Sequence, residues 1–311
     1  MIALALAFSL LASGPVQATP QQVPAADAPV RLEDIEVSGR PLDEMIDAFV
    51  GTVSAPVRNR GLARWRQNLC VGVVNLRTET AQVVADRISA DALALGLTPG
   101  LPGCRPNIIV IATVNANDFT RTYVAQRPRL FRMGGAGMDR GDAALRDFQD
   151  TDRPVRWWAV SIPADRDTGA RATRMPGQFD DNGGGVAAYA PTIKVPFASR
   201  LRTQVVDDMV RVFVVVDVDR LGAVTSQQLG DYIAMVALAQ IDPRADTGGY
   251  ATILNVFADP GVAEGLTNWD KAYLEGLYGA ERSLRNHASY LDEVAGEIGR
   301  AHRRLRAAGD E

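Results

Sequence analysis

Histidine is almost missing from this chain. Its 311 residues include two, His287 and His302, and none stands between Met1 and Asn286. That excludes a helical HExxH zinc site, and it removes imidazole acid–base chemistry from everything nearer the N-terminus. Along one helix the two histidines would stand about 22 Å apart, so they cannot share a metal within one chain. Serine chemistry fares no better. There is no GxSxG elbow, and a triad would need a C-terminal histidine to fold back onto the core. No GxxxxGK[ST] loop is present. The net charge of −4 is mild for this length, which argues against a nucleic-acid binder. No 20–50-residue repeat, collagen period or low-complexity tract interrupts the chain.

Cysteine is as scarce, with Cys70 and Cys104 standing alone. Without a CxxC pair or a neighbouring histidine they are not a zinc site. Two isolated cysteines in an exported protein are expected to form a disulfide. The N-terminus points to export. Ile2–Ala12 is an apolar run, and Val16-Gln17-Ala18 offers the small residues of a cleavage site, so residues 1–18 read as a signal peptide. No Lys or Arg precedes the run, and none of its neighbours is a lipid-accepting cysteine. At roughly 12 residues it falls short of the ~20 needed to span a bilayer. No later segment is long and apolar enough to span either. A periplasmic or secreted location follows as the expectation.

With 47% hydrophobic and 23% charged residues, the composition is that of an ordinary globular protein. Residues 19–31 are rich in Pro, Ala and Gln and read as an extended linker. Residues 32–279 read as one mixed-sheet domain and 280–311 as a long C-terminal helix. Leu32–Val37 has the look of a short edge strand, and Leu42–Val50 shows the i, i+3, i+4 spacing of an amphipathic helix. Cys70–Leu76 and Asn107–Val114 are β-branched strands flanking a helix over Glu79–Leu95, a β-α-β unit. Asn117 is the expected N-cap of the next helix. A third strand is expected over Arg153–Ile162, and an irregular segment over Pro163–Arg202. The order predicts an α+β (mixed α/β) fold.

The block Arg211–Tyr278 holds the centre. RVFVVVDV is a buried strand, Thr225–Asp242 is a helix apolar on all sides, and Leu266–Tyr278 is a second helix. Asp217 and Asp231 are the carboxylates a hydrolase would draw on here. Thr267 and Asp270 match the capping box [ST]-x-x-[DE]. The glycine-rich Met133–Gly141 could nest an anion, and Gln178–Gly185 has three consecutive oxygen side chains but not the alternate spacing of a calcium loop. Leu284, Leu291, Ile298 and Leu305 recur with Ala288, Ala295 and His302 at heptad spacing, a face fit for the protein's own core or for a partner helix. Homo-oligomerisation through it is one expectation.

Asp231-Tyr-Ile-Ala-Met235, Ile253-Leu-Asn-Val-Phe257 and Leu266-Thr-Asn-Trp-Asp270 with Tyr273, Leu274, Leu277 and Tyr278 resemble a group of exported proteobacterial proteins with a zincin-like, metalloprotease-like C-terminal region. Trp65–Leu76 and Cys104-Arg-Pro-Asn107 look similar to the same group. The resemblance implies a zincin-like sheet with packed helices. It also exposes a departure: where that helix would carry two histidines and a glutamate, this chain has Asp231, Met235 and Tyr232, a poor zinc set. No active-site residue carries over. The expectation is a non-catalytic protein, a pseudoenzyme without cofactor, that binds a partner or ligand in the cell envelope. A carboxylate-dependent hydrolase and a self-associating helix protein are the alternatives.

Overall fold

Four β-branched runs build the sheet. In the computed structural model they are β1 (Val71–Val74), β2 (Ile108–Thr113), β3 (Val155–Asp165) and β4 (Val205–Asp217), paired in the order β1-β2-β4-β3. β1, β2 and β4 are parallel, and β3 runs antiparallel to β4. This is an α+β fold with a mixed sheet. The structure describes residues 41–309 apart from 59, 67, 133–138 and 172–198, all within the compact unit Arg40–Glu311. The signal peptide, the linker, the 32–37 strand, most of the glycine-rich 133–141 loop and all of 178–185 lie outside the described residues.

Strand alternation divides the core into two. Ile108, Val110, Val155, Trp157, Val212, Val214 and Val216 face one side, where α1 (Leu42–Val53), α2 (Thr78–Ala94), α6 (Ser226–Leu238), α7 (Asn268–Gly279) and α8 (His287–Gly309) pack. Trp158, Val160, Phe213 and Val215 face the other, under α3 (Ala116–Gln126), α4 (Pro128–Phe131) and α5 (Gly141–Asp150). Each such buried aliphatic side chain contributes roughly 1.5–3 kcal/mol of transfer free energy. β3 is the edge strand next to β4, yet it is buried at every position, because its alternate side chains enter the cores on both faces of the sheet.

Several boundaries differ from the sequence-based expectation. The cap of α3 is Asn115, whose side chain accepts from Asp118 N at 3.0 Å; Asn117 lies inside the helix. β2 ends at Thr113 and the chain turns at once, so the helix starts earlier. β3 continues to Asp165, three residues past the expected end. α5 was not expected, because only Leu145 and Phe148 of its ten residues are buried. α6 stops at Leu238, and Thr225 caps it with Gln228 in a reciprocal capping box.

The largest difference is at the C-terminus. The helix expected from residue 280 begins at His287. Residues 280–286 are drawn off the helical path by their own polar groups. Arg282 binds Asp208 Oδ1 at 2.5 Å, the Glu281 carboxylate accepts from Ser283 N at 2.9 Å, and Leu284 pairs as a β-bridge with Arg202. Asn286 then accepts from Ser289 N at 3.2 Å, which restarts the chain as a helix. α8 lies tightly on α7. A Cβ on Gly276 would stand 2.7 Å from Ile298 Cα, closer than real side chains come.

Candidate functional site

Two polar cavities sit at opposite ends of β4. Asp207 and Asp208 stand near its start and Asp217 at its end.

At the start, the acidic pair is surrounded by arginines. Asp207 accepts from Arg60 Nε at 2.5 Å and Gly61 N at 2.9 Å. Asp208, 4% exposed, bridges Arg66 Nε at 2.8 Å and Arg282 Nη2 at 2.5 Å. Beside this lattice opens a cavity of about 410 Å³, lined by Arg64, Arg66, Arg166 and Arg282 with Glu281 and Glu293. Arg66 spends all its nitrogens, its Nη atoms reaching the carbonyls of Arg166 and Asp165. Arg64 does not. Its Nη1 donates to the carbonyls of Leu277, Tyr278 and Ala280, closing the C-terminal end of α7. Among the described residues its Nε and Nη2 make no hydrogen bond, and no carboxylate pairs with it within ion-pair distance. Burial, and then the charge of Arg282, push the Arg64 guanidinium down to about 10.

At the other end, Asp217 closes β4 beside Thr113, the last residue of β2. A cavity of about 350 Å³ opens there, lined by residues that include Asn115, Asn117, Asp152, Asp217, Asp219 and Arg220. Arg220 Nη1 binds Asp152 at 2.5 Å, and its Nε is 3.7 Å from Asp217 Oδ2. Ala116 N also reaches Oδ2, at 3.5 Å. Among the described residues, Asp217 Oδ1 is buried without a partner, and so is Asn117 Oδ1.

Asp231 is occupied. It is fully buried on α6 and takes both Nε (2.6 Å) and Nη2 of Arg87 on α2, and Leu266 N at 3.0 Å. A side chain on Gly265 would run into this carboxylate. Asp231 therefore ties α2, α6 and the chain before α7 together, and shares no hydrogen-bond or ion-pair partner with Asp217. Asp231 does not line the cavity beside Asp217. Nearby, Asp91 Oδ2 is buried with no hydrogen-bond partner among the described residues. Burial, and then the charge of Asp231, push Asp91 up to about 6. Met235 is fully buried in the same helix, and Tyr232 stacks edge-on against Trp157 and Phe257.

The remaining sequence candidates have structural surroundings. Thr267 caps α7 with Asp270 at its third position, and Asp270 also accepts from Thr252 Oγ1 at 2.5 Å and Ile253 N at 2.8 Å. Cys70 and Cys104 are bonded, the pairing expected from their isolation. On α8 the inward stripe is Tyr290, Val294, Ile298 and Ala301. Leu284, Leu291 and Leu305 lie half-buried against that same core, and Ala288 is exposed. α8 packs on α7 and α1, so part of the heptad face serves the chain's own core. His302 packs edge-on to Trp269 with ring centroids 5.5 Å apart; burial and then Arg306 and Arg303 lower its pKa. Among the described residues no three acidic, histidine or cysteine side chains could hold a metal, and no helix is long and apolar enough to cross a membrane.

The signal that sequence reading missed was the arginine set. Arg64 and Arg66 flank Trp65, and Arg282 lies more than two hundred residues away, so only β4 and the break before α8 bring them together.

The geometry defines an α+β protein with a buried central helix and two polar cavities. Compared with known proteins, the chain matches no family model, no curated protein and no solved structure.

Proposed function

We propose that this chain is an exported, non-catalytic binding protein of the cell envelope, and that it holds an anionic group, a carboxylate or phosphate, between Arg64 and Arg282. The scaffold is read as zincin-like with the zinc chemistry lost. Asp231 supports that part of the reading, since its carboxylate is spent on Arg87 and a backbone amide.

One observation carries the ligand class. Arg64 and Arg282 line the same cavity with like charges, and each keeps nitrogens without a hydrogen bond among the described residues. Two converging guanidinium groups with unspent donors suit an oxyanion, which would neutralise their repulsion and accept bidentate bonds. The disulfide between Cys70 and Cys104 supports an oxidising compartment.

Calorimetric titration of the mature protein with inorganic phosphate and with citrate tests the reading. Saturable 1:1 binding is expected for at least one of them, weakening steeply as salt rises. Arg64→Lys retains a charge near the α7 carbonyls but loses the planar fork, and should weaken binding at least tenfold with the melting temperature little changed. Absence of saturable binding by the wild-type protein, or equal binding by Arg64→Lys, would overturn the anion site.

A further inference from the structure

The cavity at the other end of β4 has the opposite chemistry. We propose that it is a second site, which binds the primary ammonium group of a small organic amine through Asp217, Asn117 and Asp219.

Topology places a crevice here. β2 and β4 are parallel neighbours ending at Thr113 and Asp217; α3 leaves β2 toward one face of the sheet, whereas α6, which follows β4, packs on the other. Diverging connections open a gap outside the carboxyl ends of parallel strands, where ligands of open sheets characteristically bind. The side chains in the gap are acceptors in excess. Asp217 is 6% exposed, and among the described residues its Oδ1 has no hydrogen-bond partner. Its Oδ2 has two contacts, both at the outer limit of useful range, 3.5 Å from Ala116 N and 3.7 Å from Arg220 Nε. Arg220 cannot neutralise it further, because Asp152 holds the guanidinium at 2.5 Å. Asn117 would have spent its side chain had it capped α3. Asn115 does that work, and Asn117 Oδ1 is left buried on the same cavity with no partner among the described residues.

A buried acceptor without a donor is costly, so two of them on one cavity call for a donor-rich guest. The lining carries three aspartates and one arginine, which selects a cation over a neutral hydroxyl compound. A metal ion is disfavoured, since among the described residues no three carboxylates approach closely enough to hold one. An ammonium group has three N–H donors, which match Asp217 Oδ1, Asn117 Oδ1 and the exposed Asp219. The cavity, at about 350 Å³, accommodates an amine with a short carbon chain.

Ethanolamine is the probe. Titrated into the mature protein it should bind saturably at 1:1. Tetramethylammonium, with equal charge and no N–H, should neither bind nor compete. Asn117→Ala and Asp219→Asn should each weaken binding at least fivefold at unchanged melting temperature, and Asp217→Asn should abolish it. No saturable ethanolamine binding, equal binding by Asn117→Ala, or tighter binding of calcium that displaces ethanolamine would overturn the proposal. The result is independent of the arginine cavity, since a phosphate-saturated protein should bind ethanolamine as well as the free one.

Discussion

The two ends of β4 treat their aspartates differently. At the start, Asp207 and Asp208 are fully engaged by Arg60, Arg66 and Arg282. At the finish, Asp217 is as deeply buried yet meets its neighbours only at 3.5 and 3.7 Å. The first end is also covalently fastened, because Cys70 precedes β1, Cys104 precedes β2, and both strands run parallel to β4. Charge at that end is used to hold the chain together, and the cations left over, Arg64 above all, face a cavity. At the other end Asp217 is held only loosely, with Arg220 3.7 Å away and its charge felt by the buried Arg156. A buried ion pair that is complete is close to neutral in energy, whereas a buried charge without full compensation is costly to the fold.

The comparison is broken most severely at the fastened end. Asp208→Ala leaves Arg66 and Arg282 without their shared carboxylate, and denaturant unfolding should show a loss of about 3–5 kcal/mol. A result under 1 kcal/mol would mean that the lattice is not structural. Replacing both cysteines by serine releases a loop of 34 residues. In the chain-entropy model that costs about 3–4 kcal/mol, and reductant should lower the wild-type melting temperature while leaving the double serine variant unmoved.

The same contrast recurs in miniature between α2 and α6, where Asp231 is paired and Asp91 is not. Because Asp91 is raised from its ordinary 3.8 to about 6, the native state binds its proton more tightly than the unfolded chain does. The resulting stabilisation is complete below the unfolded value and is lost as pH rises through about 6. Asp91→Asn should therefore stabilise the protein above pH 7, by about 1 kcal/mol once solvent screening of this part-exposed group is allowed for. The advantage should vanish near pH 3–4, and thermal melts across that range check the sign. The smallest effect is expected at the open end. Asp217→Asn removes a charge whose nearest partners stand 3.5 and 3.7 Å away, and should change stability by less than about 0.5 kcal/mol while abolishing ethanolamine binding. A loss as large as that of Asp208→Ala would show Asp217 to be a structural anchor.

Local order in this chain is written in short stretches. The β-branched runs at Val71–Val74 and Ile108–Thr113, the apolar stripe of α1, and the Thr267–Asp270 box all depend on neighbours within a few residues, and all stand close to where periodicity and capping put them. α5 escaped because two buried residues make too narrow a stripe to register. The heptad spacing of Leu284, Leu291, Ile298 and Leu305 was visible. What it could not contain was the pull of Asp208 on Arg282, which keeps Leu284 out of the helix, or the presence of α1 and α7 beneath the rest.

Composition and periodicity were enough for the mixed α+β class, for the pairing of two lone cysteines, and for the fact that no histidine stands before His287. Periodicity, isolation and composition are local or global properties that need no coordinates. Tertiary structure alone decided which charges meet. It gave Asp231 to Arg87, Asp208 to Arg66 and Arg282, and left Arg64 and Asp217 facing cavities at opposite ends of one strand. These partners are separated by tens to hundreds of residues, and an ion pair depends on distance in space, which no short window of sequence records.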